Sequence, residues 1–152
     1  MYLVAIPLLA HTLWEFTQLP SSDTLLLPLE HARLIQGMSW WGLGTGILGI
    51  SHGKVALGST VCVAAVIAYC YWWRPVNNWR RTLDVFMVRF LVVWHFWYAR
   101  NSPVKVLYYG ISAVGVALYC LEWHFTDVWI ITYLHMAVTA CANLSLIVLY
   151  TA

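Results

Sequence analysis

The sequence predicts an all-α membrane protein, a polytopic transmembrane bundle of about six helices that forms one domain over residues 1–152. Three observations carry that prediction. Hydrophobic residues make up 62% of the chain and charged residues only 9%, whereas soluble domains carry about 25% charged residues. Mean hydropathy is +0.73, so the chain has too little polar surface to cover itself in water. The apolar residues also fall in runs close to the ~20 residues that a spanning helix needs. These runs lack period-two alternation, which selects helices over a lipid-embedded barrel.

The first expected span covers residues 2–18. It starts at Met1 with no basic leader and no small-residue cleavage site, so it reads as a retained helix. Pro7 within it invites a kink, which leaves a partly inserted segment as the alternative. The longest connection follows, with Pro20, a Ser-Ser-Asp turn and Pro28; residues 23–33 are expected to lie along the membrane interface. The second span, 34–50, and the third, 55–73, are joined by a tight turn containing Gly53, which makes them an antiparallel hairpin. Pro75 ends the third helix and Asn77–Asn78 supply the turn into the fourth, 82–99. The fifth and sixth spans are expected at 104–123 and 128–150. Cys62, Cys70, Cys120 and Cys141 all fall inside these spans without a C-x-x-C pair, and read as small hydrophobes.

Charge separates the two ends of such a bundle. One end collects Arg33, Arg74, Arg80 and Arg81 with Asp23, Glu30, Asp84, Glu122 and Asp127, and Glu15 lies near it. The other carries Lys54, Arg100 and Lys105 and is purely basic. The Lys/Arg balance is too even for the positive-inside rule to orient the chain. Net charge of +2, with the arginines at the membrane surface, leaves no basic domain for nucleic acid. The ten tryptophans and nine tyrosines gather near span ends, as in the aromatic belt at headgroup depth. Packing around a porphyrin, quinone or pigment is the other reading of those rings.

Several constellations bear on chemistry. Gly42, Gly46, Gly49 and Gly53 recur along one face of the second span. That pattern suits close helix packing, within the chain or against a partner, and equally the close approach of a lipid or flat cofactor. His11 and Glu15 stand at i, i+4, as do His135 and Thr139. Counting ~1.5 Å per residue from the same side puts His11 and His135 level at roughly 12 Å depth. Two level histidines suit a haem clamp or a proton path, and equally two buried side chains each bonded to a neighbour. Arg80 and Arg81 are spaced to neutralise Asp84, while Arg89 lies deeper in the span. G-x-S-x-G, H-E-x-x-H and the P-loop are all absent from the sequence.

The most distinctive stretch is Trp73-Arg74-Pro75-Val76-Asn77-Asn78-Trp79-Arg80-Arg81-Thr82-Leu83-Asp84. This run, followed by an apolar helix, resembles an uncharacterised group of small polytopic membrane proteins from algal, protist and large-virus genomes. The resemblance covers residues 71–95 and implies a microbial eukaryotic source, with no function attached. Asp84 after a basic loop, together with late His135, is also similar to the alkaline-ceramidase and adiponectin-receptor superfamily. That likeness implies an intramembrane zinc hydrolase. The departures are Thr139 where a second histidine is expected, and Ser51-His52 as neighbours in a turn rather than a spaced Ser-x-x-x-His pair.

Taken together, these readings lead to the expectation of a non-catalytic accessory subunit of a larger membrane complex. Its expected site is the mitochondrial inner membrane, with the thylakoid second, in an electron-transport or other energy-transducing assembly. Its expected partners are other membrane subunits and bound phospholipid, with no resident metal or haem. Contacts are expected on the face of Gly42, Gly46, Gly49 and Gly53, and through Trp73, Arg74, Trp79, Arg80, Arg81 and Asp84. The alternatives are a zinc-dependent intramembrane hydrolase and a haem protein ligated by His11 and His135.

Overall fold

The computed structural model describes residues 24–152, and those residues form five α-helices. They are α1 (Leu29–Ser51), α2 (Val55–Trp72), α3 (Trp79–Ala99), α4 (Lys105–Glu122) and α5 (Val128–Thr151). The span expected over residues 2–18, with His11 and Glu15, lies outside the described residues. Three of the helices, α2, α4 and α5, are long and apolar enough to cross a membrane, rather than six. The other two fall short for different reasons. In α1 the apolar run is diluted by five glycines and two tryptophans, and α3 carries Arg80, Arg81, Asp84 and Arg89.

The helix boundaries have local causes. Pro28 stands at the N-cap of α1 and Glu30 in its first turn, where a carboxylate meets the positive end of the helix dipole. Residues 29–33 are therefore helical and continue into the span, instead of lying apart from it as a separate interfacial stretch. Just before them, Leu25 and Val76 form an isolated antiparallel bridge, with Leu26 N donating to Pro75 O at 2.8 Å. This bridge pins the start of α1 to the α2–α3 loop, where Pro75 and Val76 are buried. The Asn78 side chain caps α3 by accepting from Arg80 N at 3.0 Å, which starts that helix three residues earlier than the hydropathy suggests. Asp127 caps α5 in the same way, accepting from Trp129 N and Ile130 N at 2.9 and 3.0 Å.

The turn from α1 to α2 is a Schellman motif. Lys54 N bonds to Gly49 O and Gly53 N to Ile50 O, and Gly53 takes the required positive φ of 75°. The hairpin it closes is the tightest part of the molecule. A Cβ on Gly46 would stand 2.8 Å from Gly58 O, and one on Gly58 would stand 2.7 Å from Ile50 N. Only hydrogen at both positions lets the two backbones approach so closely.

In space the helices run α3–α2–α1–α5–α4, and the sequence neighbours α3 and α4 touch only slightly. The bundle shares its interior between polar side chains and three apolar clusters, and its surface is rich in large apolar side chains. Its buried side chains include His31, Gln36, Thr45, Thr82, Asp84, His95, Thr132, Asn143 and Ser145. Its exposed ones include Val63, Val66, Val106, Leu107, Val114, Val116 and Leu144. Water would disfavour so apolar a surface, whereas lipid permits it. On α5 the polar side chains bond back to their own helix: Thr132 to Val128 O, Thr139 to His135 O and Asn143 to Thr139 O. Such bonds satisfy hydroxyl and amide groups without water.

Candidate functional site

At the end of the bundle where α2 meets α3 and α4 meets α5, ionisable side chains converge. His135 on α5 sets its Nδ1 3.3 Å from Glu122 Oε2 at the end of α4, and its ring stands edge-on to Trp72. Asp84, buried on the second turn of α3, lies within electrostatic reach of His135. Arg81, one turn away, turns elsewhere: Nη1 donates to Asn77 Oδ1 at 3.2 Å, and its charge also acts on the Tyr71 hydroxyl. Among the described residues, then, Asp84 forms no ion pair with Arg80 or Arg81 and lies instead within electrostatic reach of His135. The reason is helix packing, which aims Asp84 into the bundle while Arg81 stays exposed at the surface.

A second histidine is fixed nearby. Thr132 donates its one hydroxyl proton to Val128 O at 2.7 Å, so it must accept at 3.0 Å from His31 Nδ1. That sets the proton on Nδ1 of His31 and points Nε2 toward Glu30 Oε1, 3.6 Å away. The Trp129 ring closes the site edge-on, with centroids 4.2 Å apart. Above this, Gln36 donates to Tyr69 O at 3.1 Å and accepts from Arg33, whose guanidinium also lies 4.1 Å over Trp73. The Trp73 ring is thus held by an arginine of a different helix rather than by one of its own loop.

His95 lies elsewhere, 1% exposed in the middle of the bundle. Leu91 O can only accept, so Nδ1 donates to it at 2.9 Å, and in the neutral ring Nε2 accepts the Tyr150 hydroxyl at 2.7 Å. The Tyr150 ring in turn fills the space left by Gly49, where a Cβ would stand 2.8 Å from the ring.

No known protein family, curated protein or solved structure matches the chain. Its chemistry therefore has to be read from these contacts. Gly42, Gly46 and Gly49 face the chain's own elements, Ala65 and Cys62 of α2 and Tyr150 of α5, so this face is already covered inside the molecule. Gly53 serves the turn and has open space around it. Trp73, Trp79 and Trp123 are exposed at one end of the bundle. Arg74 is exposed and Arg80 half-buried in the same region. Among the described residues, no group of three or more His, Cys, Asp or Glu side chains is placed to hold a metal ion. The expected partner of His135 in a haem clamp, His11, is outside the described residues.

Three of these pairings were not foreseen from sequence. His31 and Thr132 are separated by 101 positions, and His95 and Tyr150 by 55; no local spacing signals either pair. Glu122 and His135 are only 13 positions apart across a short loop between adjacent helices, and the hairpin itself is the signal that brings them together.

Proposed function

We propose that this chain is an integral membrane protein in which all five described helices cross the bilayer, and that it serves as a non-catalytic subunit of a larger membrane complex. The observation that carries the reading is the surface: large apolar side chains are exposed along the helices, while polar side chains such as His31, His95 and Asn143 are buried and hydrogen-bonded inside. At ~1.5 Å per residue the helices are about 27–36 Å long, against a hydrocarbon core of about 30 Å. α1 and α3 flank α2 and match this length, which supports their crossing beside it despite lower hydropathy.

The subunit reading draws on how the ionisable side chains are used. His31, His95 and His135 each bond to a neighbour within the chain, so they brace helices together. α4 buries only Tyr108 and Gly115 fully and leaves most of its remaining side chains exposed, which suits partner helices and lipid. An organelle energy-transducing membrane, the mitochondrial inner membrane before the thylakoid, is the proposed location. It follows from the resemblance of the run from Trp73 to Asp84 to small membrane proteins of microbial eukaryotes, and from the histidine and aromatic content. A native gel of source membranes in mild detergent, with mass spectrometry of the band, tests this. Migration with stoichiometric partners at several times the 17.4 kDa chain mass is expected, and migration alone refutes it.

One observation favours a second reading. Asp84 and His135, the pair that resembles the zinc hydrolases, lie within electrostatic reach of each other, although no third His, Cys, Asp or Glu among the described residues completes a metal site with them. A hydrolase of that kind would carry zinc through purification, and a haem protein would show a Soret band. Either signal on the isolated chain displaces the subunit reading.

A further inference from the structure

The opposite end of the bundle holds a different arrangement. The α1–α2 turn, the α3–α4 turn and the end of α5 border a half-open cavity of about 370 Å³, with Arg100, Asn101, Trp97 and Tyr98 exposed on its walls. Lys54 and Arg100 line it, with Asn101, Ser102, Trp97 and Tyr98. Among the described residues neither cation is paired with an Asp or Glu, and Ala152 at the end of α5 also lines the site. Arg100 lies 3.4 Å over the Trp97 ring and Lys54 Nζ 5.5 Å over the Tyr98 ring. Aromatic faces hold such cations in place while leaving their donor N–H groups for an anion. Among the described residues no Asp or Glu lies at this end, and Lys105 adds a third positive charge close by.

The remaining donors point to the same chemistry. Ser102 Oγ accepts from Val104 N at 3.3 Å, which leaves its own proton to donate, and Asn101 brings an amide. α4 begins two residues beyond Pro103, and the positive end of its dipole adds to the field. The volume is roughly twelve times the ~30 Å³ share of one water, room for a glycerophosphate-sized group. Leu149 and Pro103 supply apolar wall where an attached chain would leave. Trp97 and Tyr98, in the last turn of α3, set the cavity at headgroup depth.

We propose that this cavity binds the phosphodiester headgroup of an anionic membrane phospholipid, with Lys54 and Arg100 as the cation pair and Ser102 and Asn101 as neutral donors. The proposal rests on the membrane reading above but not on the subunit reading. A lipid phosphodiester and a soluble phosphate ester share this chemistry, and the lipid is favoured by the apolar wall and the aromatic depth.

The test uses the full chain purified in non-ionic detergent, with phosphatidylglycerol or phosphatidylcholine added and retained lipid counted by native mass spectrometry. Phosphatidylglycerol should be retained in preference to phosphatidylcholine. Lys54→Gln with Arg100→Gln should weaken that retention roughly 30-fold, a factor of about five per basic side chain. The charge-conserving pair Lys54→Arg with Arg100→Lys should keep most of it, which separates loss of charge from loss of fold. Arg74→Gln with Arg80→Gln, at the other end, should change nothing. Equal retention of phosphatidylcholine overturns the proposal, as does an equal loss in the Arg74/Arg80 pair. Displacement of the lipid by inorganic phosphate at matched concentration would overturn it in favour of a soluble phosphate site. Carbonate extraction reports separately on the membrane reading. Release of the chain overturns both, whereas retention without lipid preference overturns only the lipid site.

Discussion

Replacing Gly46 by alanine adds one methyl group where α1 crosses α2, and the structure sets the consequence. The new Cβ would stand 2.5 Å from Cys62 Sγ, 2.8 Å from Gly58 O and 2.9 Å from Cys62 N. Ordinary contact begins at 3.4 Å, and two of the three obstacles are backbone atoms that no rotamer change can move. The helices must part by about 0.5 Å, a gap that forfeits a quarter or more of the attraction between facing atoms. Overpacking of this kind costs about 1–3 kcal/mol, offset by the ~1 kcal/mol by which alanine exceeds glycine in helix propensity. The expected net loss is about 0–2 kcal/mol, against the gain expected at a glycine with open space. Gly44, on the same helix with nothing within 4 Å, supplies the control. Gly44→Ala should gain up to ~1 kcal/mol from propensity alone. Gly42→Ala, which meets Ala65 Cβ at 3.4 Å and Asn143 Oδ1 at 3.9 Å, both ordinary contacts, should fall between them. Reversible unfolding in mixed micelles by detergent titration reads all three. Equal stability of Gly46→Ala and Gly44→Ala would refute the close approach of α1 and α2.

Other expectations follow from single contacts. Tyr150→Phe leaves His95 Nε2 without its donor and should cost about 1–3 kcal/mol; a double-mutant cycle with His95→Leu should show coupling of about 1 kcal/mol, and additivity would count against the bond. Asp127→Ala removes the cap of α5 and should cost about 1 kcal/mol, with Asp127→Asn recovering most of it in the same titration. Among the described residues the Thr45 hydroxyl is buried with no hydrogen-bond partner, so Thr45→Val should leave stability unchanged or raise it by about 1 kcal/mol. A clear loss on that substitution would mean the hydroxyl is bonded after all.

Composition and punctuation made most of the helix order legible. α2, α4 and α5 fall within one residue of their expected limits because each is a continuous apolar run bounded by a turn. Less legible were the starts of α1 and α3, where caps at Pro28 and Asn78 extend the helix into polar sequence that hydropathy excludes. The glycine face was visible as a pattern, but its occupant was not. The same spacing serves a partner helix, a lipid or the chain's own α2, and only the fold distinguishes them. The site was less legible still. Arg81 and Asp84 share the spacing of an intrahelical ion pair, yet the tertiary contacts of α3 send one outward and the other toward His135. The cavity around Lys54 and Arg100 joins two turns 46 positions apart with the end of a third helix, and charge counting alone flagged only that this end is basic.

The central claim is that the bundle spans a bilayer with the Lys54 and Arg100 turns on one side and the Asn77 and Phe125 turns on the other. Single-cysteine labelling in sealed vesicles tests it most directly, after replacing Cys62, Cys70, Cys120 and Cys141. Cysteines introduced at Ser51 and Asn101 should react with a membrane-impermeant maleimide from one side, and those at Asn77 and Phe125 only from the other. Labelling of all four positions from a single side would contradict the account.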